Sequence, residues 1–383
     1  MRNILKNVDT EVIELLKILN DNNYQAYIVG GAVRDIIMDR KVNDFDISTS
    51  ALPKETVKIF NELGYEVKTQ GIKHGTVEVI YKKNYIEITT FRTDGEYLDN
   101  RHPQSVIFTL SFKTDAARRD FTMNAIGLDK NGKLYDYYDG INDIKSQVIR
   151  TVGDPMQRFT EDSLRILRAI RFSATLGFSV EVNTSKAMLA NFYNLDSIAV
   201  ERIYQEISSI FRGKYFNMIS PYLPIISYAM KSDEISDNIF NFPYYEQRLA
   251  YALNNNKDLN DAYLSSAEKN SILACYKYQN DDFDDFKIKL LINKYGYLQA
   301  RSILSYNNII NCKNDAYIKR LEQLKDTCCS IKQLALNGND LLDLGFNGKV
   351  ISEILNKLLE KVMKNELENK KTALLEAVIN NQN

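Results

Sequence analysis

Two aspartates separated by a single residue, Asp44 and Asp46, stand in the segment NDFDIST. The segment has the composition of a β-strand, and positions i and i+2 of a strand point to the same face. Two carboxylates side by side repel each other unless a cation neutralises them. Hard oxygen ligands suit Mg²⁺, which takes one or two carboxylates and completes its shell with substrate phosphates and water. The pair predicts a magnesium site with Asp44 and Asp46 as metal ligands and catalytic residues, although such a pair alone is also common on solvated surfaces.

Two glycines and an arginine precede these aspartates. Gly30 and Gly31 follow the apolar run YIV and lead into the helical segment AVRDIIMDR. Glycine lets backbone N–H groups approach an anion, a helix N-terminus favours negative charge, and Arg34 can add a guanidinium, so the arrangement resembles a cradle for a triphosphate. A Gly-Gly turn alone is more often only a tight turn. Beside a pair of metal ligands it gains weight, because two metal ions there could activate an attacking hydroxyl and stabilise departing pyrophosphate.

The composition excludes several classes of protein. The chain has 383 residues, a net charge of −1, 44% apolar and 26% charged residues, as is typical of a soluble globular protein. Its length suggests about two to four domains. It has no apolar run long enough to span a membrane, and its first residues lack the features of a signal peptide. The only histidines, His74 and His102, provide no basis for a Ser-His-Asp mechanism, a zinc site or an HD phosphohydrolase domain.

The cysteines indicate a reducing compartment. Their spacing fits neither a disulfide framework nor a zinc site, and we expect reduced thiols in the core of a cytoplasmic protein. These cysteines are Cys275, Cys312, Cys328 and Cys329.

The predicted elements divide the chain into a mixed part and a helical part. Runs rich in Val, Ile, Thr and Tyr predict strands near 24–29 and 44–49 and at YEVKTQ, GTVEVIYKK and YIEITTFRT, with a hairpin turn at KKN. After about Val148 helical periodicity continues to the end. The predicted fold is α+β and multidomain: a mixed α/β head with a small sheet, followed by an all-helical neck, body and tail. We place the head at 1–150, the neck at 151–215, the body at 216–325 and the tail at 326–383.

Four segments in order resemble the motifs of one enzyme superfamily. Motif A of polymerase-β-like nucleotidyltransferases resembles GGAVRD followed by DFDIST, and motif B resembles RRDFTMNAI at 118–126. Motif D and its helix are similar to TEDSLRILRAIRFSATLGF at 160–178, and motif E is similar to AVERIYQEI at 199–207. Over nearly its whole length the chain resembles the class II branch, which holds CCA-adding enzymes and bacterial poly(A) polymerases. The resemblance implies Mg²⁺-dependent transfer of nucleotides from CTP and ATP to an RNA 3′ hydroxyl.

The segment that resembles motif D could read the base. We expect Thr160 to cap a helix whose first turn holds Glu161 and Asp162, with Asp162 and Arg165 on a polar face. Cytosine and adenine each present an amino donor beside a ring-nitrogen acceptor, which a carboxylate and a guanidinium match, whereas guanine and uracil mismatch them. From the residues alone, the acids could instead complement the helix dipole, with Arg165 and Arg168 as surface partners.

The resemblance implies the base-reading role at these positions, with Asp162 as acceptor and Arg165 as donor. It also implies that Arg168 and Arg171 face the nucleotide, although Arg171 could instead anchor the helix to the head.

The segment that resembles motif B adds positive charge. Arg118 and Arg119 are expected to meet phosphate or ribose, because a triphosphate requires counter-charge, and Asp120 and Asn124 could hold them in place. Glu87, in the strand YIEITTFR, is a candidate for a third metal carboxylate, although acids on strands are commonly exposed.

Two further regions bear on the substrate. The segment from Tyr97 to Pro103 is similar to the flexible loop of CCA-adding enzymes, and the resemblance implies a part in the switch from C to A addition. The helical part past about residue 215 is where tRNA should lie, recognised by shape and backbone charge. Candidate phosphate contacts are Lys349, Lys357, Lys361 and Lys364, although each lysine alone is more often a solvated residue.

The expected function is template-independent addition of CCA to tRNA 3′ ends from CTP and ATP, with no obligate protein partner. An enzyme that adds only A to tRNA shares all these motifs. Poly(A) polymerase is another alternative, but the sequence ends in AVINNQN without the basic extension common in those enzymes. A non-catalytic RNA-binding protein is disfavoured because Asp44, Asp46 and Arg165 are all present.

Overall fold

The computed structural model describes residues 4–81, 84–94, 106–253 and 263–380. The chain forms two compact units, Met1–Glu234 and Ile235–Asn383, which are described separately. All the described strands lie in the first unit, and the second is helical. This arrangement confirms the predicted α+β class. The divisions predicted after residues 150, 215 and 325 stay predictions.

The first unit contains one large sheet and two short strand pairs. Its strands are β1 (Ala26–Val29), β2 (Asp46–Thr49), β3 (Glu66–Lys68), β4 (Thr76–Tyr81), β5 (Asn84–Thr90), β6 (Arg92–Asp94), β7 (Val106–Phe108), β8 (Ile126–Leu128), β9 (Leu134–Asp136), β10 (Val148–Ile149) and β11 (Ser179–Val180). The large sheet has the order β3-β4-β5-β2-β1-β8-β9. Strands β2 and β5 run parallel, and the other neighbours run antiparallel.

The centre of the sheet brings two predicted segments together. All four residues of β1 are buried, as expected for a central strand. The antiparallel register pairs Val29 with Asp46, so the turn after β1 and the start of β2 lie at the same edge. The predicted hairpin is confirmed, because β4 and β5 pair as far as Tyr81 and Asn84.

Ten described α-helices accompany the strands of the first unit. They are α1 (Thr10–Asp21), α2 (Gly31–Ile37), α3 (Pro53–Glu62), α4 (Phe112–Ala117), α5 (Gly140–Ser146), α6 (Pro155–Glu161), α7 (Leu164–Leu176), α8 (Val182–Asn191), α9 (Val200–Phe211) and α10 (Leu223–Met230). One short strand, β11, lies in the predicted all-helical neck and pairs with β10. A two-residue strand carries too little apolar alternation to be recognised from its sequence.

The described residues of the second unit form eight α-helices. They are α11 (Tyr245–Leu253), α12 (Ser266–Tyr278), α13 (Asp285–Tyr295), α14 (Tyr297–Ile310), α15 (Ala316–Gln323), α16 (Gly338–Asp343), α17 (Lys349–Met363) and α18 (Lys371–Asn380). One apolar core includes Ile303 and Leu304 of α14, and a second includes Leu358 and Leu359 of α17. Within the described ranges, no helix is both long and apolar enough to cross a membrane.

The cysteines only partly match their predicted location. Cys275 and Cys329 are buried and Cys328 is half-buried, whereas Cys312 is exposed. The prediction of a core position is wrong for Cys312 because α14 ends at Ile310 and Cys312 lies in the following turn, with φ of 51°.

Candidate nucleotide-binding and catalytic site

The two aspartates lie at the start of β2. Asp46 is the first residue of the strand, but Asp44 precedes it, so the prediction that one strand holds both is wrong for Asp44. The antiparallel pairing of β2 with β1 ends at Asp46 because its partner, Val29, is the last residue of β1. The alternation of exposed and buried side chains nevertheless continues through this segment. Phe45 and Ile47 are buried, and both aspartates are exposed. The two carboxylates therefore lie on the same side of the chain.

The charge of Asp46 is only partly compensated. Desolvation by the surrounding protein is the largest influence and raises the pKa of Asp46 above its usual value. Repulsion from Asp44 raises the pKa further, and the guanidinium of Arg119 acts in the opposite direction. A cation bound between the aspartates would relieve this repulsion.

A row of acids extends from Asp46 across the sheet. Asp46 pairs in register with Glu87 of β5, and Glu87 pairs with Glu78 of β4. Desolvation, followed by the charges of Asp46 and Glu78, raises the pKa of Glu87. Glu87 thus lies beside the aspartate pair, where it was proposed as a third carboxylate. Among the residues described, however, no three His, Cys, Asp or Glu side chains are gathered as a metal site.

Gly30 opens a space between Asp46 and Arg119. Gly30 has φ of 73°, a conformation that favours glycine. A Cβ atom built on it would lie 3.7 Å from Oδ2 of Asp46 and 3.8 Å from Nη1 of Arg119. Nε of Arg119 is buried and has no hydrogen-bond partner in the protein. A carboxylate oxygen of Asp46 and the Nη1 nitrogen of Arg119 therefore face the same space.

A buried carboxylate that sequence reasoning missed holds the two arginines of motif B. Asp115 of α4 forms ion pairs with Arg118 at 2.9 Å and with Arg119 at 3.1 Å. The expectation that Asp120 and Asn124 hold these arginines is therefore wrong. The signal was available, because residues three and four positions apart are neighbours on a helix.

Asp120 instead connects the head to α7. Its Oδ2 accepts hydrogen bonds from Nε and Nη2 of Arg168 at 2.9 and 2.6 Å. Its Oδ1 accepts from the side-chain amide of Asn124 at 3.2 Å, and Asn124 accepts from Nη1 of Arg34 at 3.0 Å. Arg34 also pairs with Asp35, and it is buried. One continuous chain of hydrogen bonds thus runs from α2 to α7.

The segment that resembles motif D spans parts of two helices, α6 and α7. The prediction that Thr160 caps the start of a helix is wrong. Asp154 caps α6 by accepting hydrogen bonds from two backbone N–H groups, and Pro155 follows as its first residue. This start signal lies upstream of Thr160, whose hydroxyl donates to the carbonyl of Met156. Asp162 leaves the helix, with φ of −148°, and accepts a hydrogen bond from the backbone N–H of Leu164 at 3.1 Å. Asp162 therefore lies at the break between α6 and α7.

Arg165 lies close to this break. It is buried, and its Nη1 donates to Glu161 and to the carbonyl oxygen of Arg158, both at 3.1 Å. Its Nη2 donates to the carbonyl oxygen of Arg118 at 3.5 Å. The structure thus brings Arg165 and Asp162 to the same break and places Arg165 against the motif B segment.

Arg171 is anchored within the helical part and not to the head. Its Nε donates to Glu206 of α9 at 2.6 Å. The guanidinium groups of Arg34, Arg168 and Arg171 all lie over the ring of Phe172, at 5.3, 5.8 and 4.2 Å from its centroid. Such contacts are attractive because the face of an aromatic ring is negative. Three of the predicted nucleotide-binding arginines therefore share one aromatic side chain.

Two further regions carry predictions about the substrate. The Tyr97–Pro103 loop, with His102, falls outside the described residues. In the second unit, a groove of about 530 Å³ is lined by Lys357, Lys361 and Lys364 and by apolar residues that include Phe346. Lys364 pairs with Glu360 at 2.6 Å, so part of this positive charge is compensated.

Comparison with known proteins identifies the class to which this fold and site belong. Residues 26–150 match the family of the poly(A) polymerase head domain, and residues 265–378 match that of tRNA nucleotidyltransferase domain 2. The protein is therefore a nucleotidyltransferase, a class of enzymes that generally uses a divalent metal ion.

Relatives narrow this class to one family. The CCA-adding enzyme of Staphylococcus haemolyticus (strain JCSC1435) is 33% identical, and the alignment covers 96% of each chain. That of Geobacillus thermodenitrificans (strain NG80-2) is 45% identical over 54% of this chain and 50% of its own. The crystal structure of the Bacillus stearothermophilus CCA-adding enzyme in complex with CTP aligns with a TM-score of 0.72 at 28% identity, over 100% of this chain and 99% of that one. The chain belongs to the family of CCA-adding enzymes.

The Asp120–Arg168 pair predicts a pH-dependent contribution to stability. Burial opposes ionisation of Asp120, but Arg168, Asn124 and the N–H of Phe121 outweigh it, so the pKa of Asp120 is below its usual value. A carboxyl with a lowered folded-state pKa contributes stability that is fully present above its unfolded pKa, about 3.9, and is lost as the pH falls through the folded value. Asp120→Asn should therefore lower the free energy of unfolding at pH 7 by about 1–3 kcal/mol, limited by the partial exposure of Arg168.

Denaturant unfolding measured between pH 7 and pH 3 would check this prediction. The difference between wild type and Asp120→Asn should be constant near neutral pH and shrink below about pH 4. Asp233→Asn is a suitable control because Asp233 is exposed in the same unit. A difference that does not change with pH would contradict an ionic contribution from Asp120.

Proposed function

We propose that this enzyme adds C, C and A in turn to tRNA 3′ ends from CTP and ATP and releases pyrophosphate. The observation that carries the proposal is the juxtaposition of the Asp46 carboxylate, which has Asp44 beside it, with Nη1 of Arg119 across the space at Gly30. Carboxylates attract a metal ion and a guanidinium attracts phosphate, so this space suits a metal-bound triphosphate. Membership of the CCA-adding family, with one relative solved in complex with CTP, supports the choice of nucleotides.

The residues at this edge of the sheet fit Mg²⁺. Two hard carboxylate ligands that repel each other are present, and Gly30 leaves room beside Asp46. Asp44 and Asp46 would hold the ion, and Glu87 is the candidate for an additional carboxylate. When bound, Mg²⁺ would neutralise charge at the attacking hydroxyl and at the departing pyrophosphate.

The protein groups around this space would orient the reactants. Gly30 and Gly31 would let the triphosphate approach the backbone, and Arg119, with Arg118, would bind its phosphates or the ribose. The terminal ribose hydroxyl of the RNA would attack the α-phosphate in line with the leaving pyrophosphate. Arg34 would support this site indirectly, because its guanidinium is already bound to Asp35 and Asn124.

The break between α6 and α7 would select the base. The carboxylate of Asp162 would accept from the amino group of cytosine or adenine, and Arg165 would donate to the neighbouring ring nitrogen. Guanine and uracil would leave buried groups unpaired, at a cost of about 1–3 kcal/mol for each. Arg168 and Arg171 would line the nucleotide beside Phe172, and their ion pairs with Asp120 and Glu206 would fix their orientation.

The second unit would bind the body of tRNA. The lysines along the groove of α17 would contact backbone phosphates, and Lys349, the first residue of that helix, would add to them. Such contacts are independent of sequence, as recognition of every tRNA requires. With these substrates, we place the enzyme in the cytoplasm.

An incorporation assay would test the function. Purified enzyme and Mg²⁺ would be given three tRNA transcripts that end before the CCA, after C and after CC, each with one labelled nucleotide triphosphate. We expect addition of C, C and A in order, followed by a stop. Addition of A alone to the CC-ending transcript would identify an A-adding enzyme, and unlimited A addition to any RNA would identify a poly(A) polymerase. Absence of incorporation would contradict the proposal.

Asp44→Ala should reduce incorporation of both C and A to the background of the assay, because the metal loses one of its two carboxylates. Binding of tRNA, measured by filter retention, should be unchanged. Glu66→Ala, at an exposed position of β3 outside the site, is the matched control and should behave like wild type. Loss of tRNA binding in folded Asp44→Ala would count against a role confined to metal binding.

A further inference from the structure

The side chain of Asp115 is fully buried next to the candidate site. Its Oδ1 accepts hydrogen bonds from Nε of Arg118 at 3.0 Å and from the backbone N–H of Arg92 at 3.3 Å, and its Oδ2 accepts from Nη2 of Arg119 at 3.1 Å. Burial opposes its ionisation, but the charges and hydrogen bonds of the two arginines outweigh it, and the pKa of Asp115 is lowered. At neutral pH one buried anion therefore holds both arginines of motif B.

A second contact fixes the direction of Arg119. The same Nη2 atom that binds Asp115 also donates to the hydroxyl of Ser48 at 3.0 Å. Ser48 is buried in β2, two residues beyond Asp46. One edge of the guanidinium is thus bound between α4 and the strand that begins with Asp46.

The other terminal nitrogen of Arg119 lies at the space beside Gly30. Nη1 is 3.8 Å from the position that a Cβ atom on Gly30 would occupy, and Oδ2 of Asp46 is 3.7 Å from that position. Phosphate oxygen is a strong acceptor for guanidinium. With Nη2 held by Asp115 and Ser48, Nη1 is therefore presented to an anion beside Asp46.

We propose that Asp115 is a positioning residue for nucleotide binding, which holds Arg118 and Arg119 so that Arg119 presents Nη1 to the triphosphate of CTP and ATP. The inference rests on the proposed function, because it assigns the anion to the nucleotide substrate. Because both nucleotides carry the same triphosphate, Asp115 should affect the binding of both equally and should not affect tRNA binding.

Equilibrium binding of CTP and of ATP in the presence of Mg²⁺, without tRNA, would test the proposal. Asp115→Asn would replace an acceptor by an amide N–H group that faces the arginines, and we expect both dissociation constants to rise about tenfold. Asp143→Asn is the matched control: it also removes a buried carboxylate, one bound to Arg150 at 3.2 Å, outside the site. This control should leave both dissociation constants unchanged.

A double-mutant cycle would separate positioning from general stability. If Asp115 acts through Arg119, Asp115→Asn should add little to the effect of Arg119→Ala. The proposal would be overturned if the double variant raised the dissociation constants by the product of the two single effects. It would also be overturned if a folded Asp115→Asn variant bound both nucleotides like wild type.

If Asp115→Asn does not fold, Arg119→Lys tests whether the fixed orientation of Arg119 is needed for nucleotide binding. Lysine keeps the charge but cannot hold Asp115 and Ser48 with one edge and phosphate with another, so it should bind both nucleotides about as weakly as Arg119→Ala. Binding like wild type would overturn the positioning role. Since no turnover is needed, a wild type that binds CTP and ATP but adds neither to tRNA would contradict the proposed function without affecting this test.

Discussion

The ion pair between Asp120 and Arg168 joins the segment between α4 and β8 to α7, the helix that begins at the proposed base-reading break. Its 2.6 Å contact lies in a chain of hydrogen bonds that also includes Asn124 and Arg34. Because Asp120 is mostly buried, breaking the pair leaves its carboxylate poorly compensated, which favours the arrangement in which the two elements are joined. The proposed selection of the base by protein side chains would require this constraint, because the base and the α-phosphate of one nucleotide would have to be held at the same time.

The distribution of charge around the site is uneven in a way that fits its substrates. Asp115, Asp120 and Glu161 are each bound to arginine, whereas Asp44 and Asp46 repel each other. At the same edge, Nη1 of Arg119 lies 3.8 Å from the position of a Cβ atom on Gly30. The two neighbouring carboxylates suit a cation, and the guanidinium nitrogen suits an anion. A metal-bound triphosphate would supply both, and the ion pairs of Asp115, Asp120 and Glu161 hold the surrounding arginines in place.

Local sequence patterns predicted much of the site. They could not predict contacts between residues that are far apart in the sequence. The alternation around Phe45 predicted that Asp44 and Asp46 share a face, and this holds even though Asp44 precedes the strand. The partner of Arg168 lies 48 positions away, at a separation that helical spacing cannot reveal.

The break at Asp162 was missed for a different reason. The N-cap at Asp154 and the following Pro155 already start a helix upstream, and that local signal competes with the one at Thr160. Asp115 was overlooked because arginines at i+3 and i+4 are usually surface partners, and only packing shows that its side chain is buried.

The most direct test of the account is the preference for CTP over UTP in C addition by Asp120→Asn. If the pair orients the base-reading helix, that preference should fall about tenfold or more while C addition continues. An unchanged preference with slower addition of both nucleotides would contradict it.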